Sequence, residues 1–124
     1  MVRVCRSIFA AGASAGLAAG LASCGPAIVA DFNSAEPAAR NSAIVKAAAE
    51  EDRSKISDLV RMLDSDDPAT RLLAIQALER MTGERLGYDP AAGPDQREPA
   101  VVRWVEWVRA HPPHPVPPGE NPPG

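Results

Sequence analysis

Histidine occurs only twice in this 124-residue chain, at His111 and His114, both in a proline-rich C-terminal stretch. Ser34, Ser42, Ser54, Ser57 and Ser65 therefore have no imidazole on a folded element to act as their base. The same two histidines lack a rigid surround to orient them toward a metal, so no metal site and no cofactor are expected. No glycine-rich phosphate loop appears. Lys and Arg number 13 against 16 acidic residues, without a basic cluster, and phosphate neutralisation needs grouped cations; nucleic acid is not an expected partner. Long hydrophobic runs are missing too. The uncharged stretch from Ile8 to Leu21 falls short of the about 20 apolar residues of a membrane span. As a buried helix it would carry Gly12, Gly16 and Gly20, each costing about 1 kcal/mol relative to Ala.

Cysteine is nearly absent as well, with Cys5 and Cys24 the only two. The second stands at the end of Leu21-Ala22-Ser23-Cys24, which resembles a bacterial lipobox. Arg3 and Arg6 precede the uncharged stretch as a short positive region, and small residues occupy the cleavage side. The resemblance implies a lipoprotein signal peptide over 1–23, cut before a Cys24 that carries lipid. A plain secretory signal cut near Ala22 is the alternative. Lipidation of Cys24 and loss of Cys5 would leave no pair for a disulfide, even in an oxidising compartment. Loss of Arg3 and Arg6 would move the net charge from −3 to −5. The expected address is the cell envelope, with the membrane reached through lipid on Cys24. Gly25 rather than Asp after the cysteine favours the outer membrane, facing the periplasm, where the cell has one.

Residues 24–35 read as a spacer of at most about 35–40 Å. Residues 36–110 read as the folded domain, and 111–124, with its run of prolines, as an extended polyproline II or disordered tail. Within the domain, a shift of 31 residues lays Glu36-Pro37-Ala38-Ala39-Arg40 and Ala43-Ile44 over Asp67-Pro68-Ala69-Thr70-Arg71 and Ala74-Ile75. Each copy places an acid near a helix N-cap and proline at the first helical position. Such a repeat points to stacked helical hairpins. Between the copies, Ile56, Leu59, Val60 and Leu63 form an apolar stripe at helical spacing. The pattern predicts an all-α domain of four helices over about 37–49, 54–64, 68–82 and 98–110. Gly83 ends the third, and Val101, Trp104, Val105 and Val108 share a face of the fourth.

The stretch Ile56–Leu63, the Asp-Asp-Pro turn, then Arg71, Ala74, Ala77 and Leu78 resemble a HEAT-type repeat, in the short subclass found in phycobilisome-lyase-like proteins. Asp67, Pro68, Arg71, Ala74, Ala77 and Leu78 occupy matching positions. The likeness covers Lys55–Gly83 well and Glu36–Ala49 in part. The loop Gly87-Tyr88-Asp89-Pro90, followed by Val102-Arg103-Trp104 and Trp107, resembles an extension after such repeats in bacterial envelope proteins. The resemblance implies a short HEAT-like stack.

On the helical wheel Arg71 falls inside the apolar arc, and Arg40 falls beside Ile44 and Ala47. A guanidinium there must be hydrogen-bonded, and the turn acids Asp66 or Asp67 are candidate partners. Arg40, Arg71, Asp67, Pro68 and Trp104 are thus assigned structural roles. The acidic turn from Asp64 has Ala69 where a calcium loop needs Gly and Ile75 where it needs Glu. Trp107 lies about 60° beyond Trp104 near Arg103, and Leu72 points away from the apolar arc. Trp107, Leu72 and Arg103 are the candidate protein-binding residues. The function expected is a membrane-tethered, non-catalytic adaptor or scaffold that docks a protein partner on a helix face. The alternatives are a lipid-anchored enzyme or accessory subunit with a carboxylate site, and a structural lipoprotein that engages the envelope through its tail.

Overall fold

The structure, a computed structural model, describes residues 25–113. Residues 1–24, with the Leu21-Ala22-Ser23-Cys24 stretch read as a signal peptide and lipidation site, and the tail from 114 lie outside the described residues. Among the described residues the fold is all-α. Helix α1 spans Pro37–Ala49, α2 Ile56–Met62, α3 Pro68–Thr82 and α4 Pro94–Ala110. A single 3₁₀ turn, Arg53–Lys55, leads into α2. None of these helices is long and apolar enough to cross a membrane.

Helix starts follow the sequence pattern, with instructive exceptions. Proline opens α1, α3 and α4, where its missing N–H would have had no partner inside the helix. Asp67 caps α3, its carboxylate accepting from the Thr70 N–H at 2.9 Å. Glu36 holds the same position before α1, but its side chain makes no capping bond. Helix α2 is shorter than its expected 54–64 span. Asp52 accepts from both the N–H and the hydroxyl of Ser54, which tightens the entry into the 3₁₀ turn. Helix α4 begins at Pro94 rather than near 98, so Pro99 sits inside it. The carbonyl that Pro99 leaves without a donor belongs to Asp95. Both residues are exposed, and water can serve that carbonyl.

The ends differ in the same way. Gly83 closes α3 in the left-handed conformation (φ 78°), its N–H bonded to the Glu79 carbonyl at 2.8 Å. Glu51 takes that conformation after α1 (φ 50°), with Asp52 N–H reaching the Ala47 carbonyl at 3.0 Å. This is the usual glycine position of a helix stop, filled here by a residue with a Cβ.

Packing runs α1–α3–α2–α4: α3 lies against α1 and α2, and α2 against α4. Ile44, Leu59, Leu63, Ile75, Leu78, Tyr88 and Trp104 supply the largest buried side chains of the single core. Leu73 packs on it from the side, so α3 is covered on two faces, as its broad apolar arc implied. On α4 the buried line is Ala100 and Trp104, with Val101, Trp107 and Val108 partly buried beside it. Val105, expected on that face, is 37% exposed. The earlier start of α4 also reveals a third copy of the repeat. Pro94, Arg97, Ala100 and Val101 stand at the spacing of Pro37, Arg40, Ala43 and Ile44, and of Pro68, Arg71, Ala74 and Ile75. Ala43, Ala74 and Ala100 are all buried.

Candidate functional site

The three arginines show what the repeat builds. Arg71, 8% exposed, donates from Nη1 to the carbonyls of Ser65 and Asp66 at 2.8 and 3.0 Å. Arg40 donates from Nη1 to the carbonyls of Ser34 and Ala35 at 3.0 and 2.9 Å. Arg97 donates to the Ala92 carbonyl at 2.6 Å. Each guanidinium thus folds back on the turn five or six residues before it and fastens that turn to its own helix. The partners are backbone carbonyls, not the turn acids that the sequence suggested. Asp66 approaches Arg40 only at 4.0 Å with its own side chain fully exposed, and such a pair contributes little. The Asp67 carboxylate is occupied by Thr70, whose donors hold it below the usual carboxylate range. Arg71 alone reaches further, its Nε donating to the Pro90 carbonyl at 3.1 Å in the loop before α4. The Nε atoms of Arg40 and Arg97 are buried without a protein partner.

Thr70 joins the first two copies. Its fully buried hydroxyl lies 2.6 Å from Asp67 Oδ2 and 2.7 Å from the Asn41 side-chain oxygen as placed. One hydroxyl proton serves one acceptor, so with the carboxylate satisfied the Asn41 amide must turn its NH₂ toward Thr70. Tyr88 was not singled out as core by the sequence pattern. It is buried, its hydroxyl donates to the Leu63 carbonyl, and burial pushes its pKa up. Arg53 Nη1 donates to the Met81 carbonyl at 2.9 Å, joining the 3₁₀ turn to the end of α3. These links run between elements distant in sequence, where spacing carries no signal.

The residues singled out as docking candidates separate on the surface. Trp104 is fully buried, as assigned. Trp107 is partly buried, its ring 5.7 Å from that of Trp104 and stacked on His111 at 4.1 Å with planes 16° apart. Arg103 is exposed but engaged, its Nε donating to the Leu86 carbonyl at 2.8 Å. Its guanidinium lies so close to Gly87 that a Cβ there would meet Nη2 at 3.0 Å. Arg103 therefore holds the loop before α4. Leu72 is 42% exposed and stands apart from both.

Three concave surfaces among the described residues bear on a binding role. Between α1 and α3 a shallow groove of about 250 Å³ is lined by Ile44, Val45, Ala48, Leu73, Ala77 and Arg80 among others. Val45, on its rim, is 54% exposed. A larger open groove of about 800 Å³ lies where the end of α4 meets the segment leading into α2, with Trp107, Val108 and Ile56 in its walls. A cleft of about 290 Å³ under the N-terminal segment Ala30–Asn33 gathers Asp31, Glu50, Asp52 and Asp58 with Lys46 and Lys55. Three of those carboxylates already serve local bonds: Asp31 to the Asn33 N–H, Asp52 to Ser54, and Asp58 to Arg61 at 2.8 Å. Among the described residues no three His, Cys, Asp or Glu side chains converge to hold a metal. No family model matches this chain, and no curated protein or solved structure shows significant similarity to it.

Proposed function

We propose that the chain is a lipid-anchored adaptor of the bacterial cell envelope, a short HEAT-like module that holds another protein against its α1/α3 face. The groove between α1 and α3 carries this reading. It is apolar, it lies on the helix that ends the stack, and Val45 stands exposed on its rim. Large exposed aliphatic side chains beside an apolar groove are the makings of a partner surface. Leu72, 42% exposed on the same helix, stands one turn before Gln76 of the groove wall and is the second apolar side chain that a partner there would cover. The HEAT-like character is supported by the neighbour order α1–α3–α2–α4 and by the three Pro-x-x-Arg helix starts.

The anchor is the acylated Cys24, supported by the Leu21-Ala22-Ser23-Cys24 pattern. Two acyl chains give stable attachment where a single chain is marginal. Part of the spacer expected over 24–35 is held against the domain. Asp31 N–H bonds to the Ala39 carbonyl at 3.1 Å and Phe32 packs partly on the core. Free chain then extends only from Gly25 to Ala30, about 20 Å at full stretch. A tether this short keeps the domain close to the bilayer and favours partners in or on the same membrane.

Photocrosslinking in cells tests the docking face. Crosslinkers at positions 45 and 72 should capture one and the same protein, and one at the exposed Arg61 on α2 should not. Capture that is equal from all three positions, or absent from 45 and 72, rejects this face. The anchor is tested separately: Cys24→Ala should abolish fatty-acid labelling and sedimentation with membranes, and unchanged labelling would remove the lipoprotein reading.

A further inference from the structure

We propose that the groove at the end of α4 is the seat of the chain's own proline-rich tail, residues 114–124, bound in cis as a polyproline II strand. The groove, about 800 Å³, is larger than the other two described, and its walls are mainly apolar. Its aromatic wall is ready-made: the Trp107 indole and the His111 imidazole stack at 4.1 Å, and His111 Nδ1 lies 2.8 Å from the Trp107 carbonyl. Flat rings beside a shallow apolar channel are the means by which proline-rich strands are recognised. The chain itself names the occupant. Helix α4 ends at Ala110, and the residues that follow, Pro112 and Pro113, already line the groove. The segment 114–124 follows Pro113 directly in sequence.

The composition of that segment suits the walls. Five of its eleven residues are proline, one is valine, and Glu120 is its only acid. Proline φ is fixed before binding, so ordering such a strand costs less entropy than ordering an ordinary one. At about 3.1 Å per residue, His114–Pro118 covers about 15 Å. Attachment at Pro113 supplies an effective concentration of the order of millimolar. Even a weak site, with a dissociation constant for the free peptide near 1 mM, would then be about half occupied. This inference does not depend on the lipid anchor or on the α1/α3 docking face.

The test compares the full chain with one ending at Pro113 by indole N–H resonances and tryptophan emission. The chain has two tryptophans, and the fully buried Trp104 serves as the less responsive reference. Truncation should shift the Trp107 resonance and move its emission to the red. Synthetic peptide 114–124, added to the truncated chain, should return both, saturating in the millimolar range. A full-length chain with the five tail prolines changed to serine should behave like the truncated one. An identical Trp107 signal with and without the tail overturns the proposal. So does a full-length signal that depends on protein concentration, since the tail of a second copy would then fill the groove. A serine-substituted tail that preserves the wild-type signal overturns polyproline recognition.

Discussion

Helices α1 and α3 begin with the same written pattern 31 residues apart, yet only α3 uses all of it. Both arginines grip the two carbonyls before their helix through Nη1. Arg71 adds the Pro90 carbonyl through Nε, where the Nε of Arg40 has no protein partner. Asp67 caps its helix and Glu36 does not. Glycine ends α3, and a strained Glu51 ends α1. The difference follows position. Helix α3 lies between two neighbours, so its cap and its arginine find partners inside the protein, whereas α1 ends the stack and water can serve its exposed cap.

Side-chain size at one register gives the largest expected contrast. Ten residues after each helix-opening proline stand Ala47, Leu78 and Trp104, all buried. Leu78→Ala, which gives α3 the α1 residue, should cost about 2–5 kcal/mol, and Trp104→Ala about 3–5 kcal/mol. A domain this small gains only about 3–5 kcal/mol in all, so both variants should lose most of their helical circular dichroism at 25 °C. A folded Trp104→Ala protein would show that the α4 end of the core collapses around the vacancy.

The arginines come next. Arg71→Ala leaves three carbonyls without their donor and should cost about 1–3 kcal/mol. Arg40→Ala should cost less, because it frees two carbonyls rather than three and one of them, that of Ala35, is exposed. Coincident urea midpoints for the two variants, with equal m-values, would erase the distinction between inner and outer copies.

The caps should follow at about 1 kcal/mol for Asp67→Ala and near zero for Glu36→Ala. The Asp67 effect carries a pH signature. Hydrogen bonds from Thr70 lower its pKa in the folded state, so its contribution is complete above the unfolded value of about 3.9. It is lost as pH falls through the lower folded value. The gap between wild type and Asp67→Ala should therefore narrow in acid, and a gap unchanged down to pH 2 would contradict the capping role.

The helix stops give the smallest contrast, of opposite sign in the two copies. Glu51→Gly should stabilise by up to about 1 kcal/mol, relieving a left-handed residue with a Cβ, and Gly83→Ala should destabilise by about the same amount. Thermal melts of the pair decide it; a destabilised Glu51→Gly would mean that the glutamate side chain contributes more than its backbone costs.

Local spacing made most of the fold legible. The 3.6-residue stripes placed all four helices, and Pro68, Asp67 and Gly83 marked the ends of α3 within a residue. The fourth helix was expected only from about 98, because Pro99 resembles a helix opening; Gly93-Pro94 is the actual start, and it brings the Arg97 copy into register. Tyr88 and the Arg53–Met81 bond were not legible, since their partners are 25 and 28 residues away. On the surface, spacing marked Arg103 and Trp107 without their surroundings: Arg103 bonds the Leu86 carbonyl, and Trp107 is partly buried with part of its ring in the wall of the groove at the end of α4. Leu72 was read correctly as exposed.

The arginine clasp closes a ring of only five or six residues, and that shortness bears on how such chains grow. Helix, turn and clasp are written in one contiguous stretch, so a duplicated copy arrives with its own fastening and asks nothing of its new neighbours. What must be invented afresh is the cross-link between copies. Here these are few: Thr70 with Asn41, Arg53 with Met81, Arg71 with Pro90, Tyr88 with Leu63, and Arg103 with Leu86. Lengthening or shortening this array by one copy should therefore be a matter of re-matching a handful of seams, with the interior of each unit left as it was.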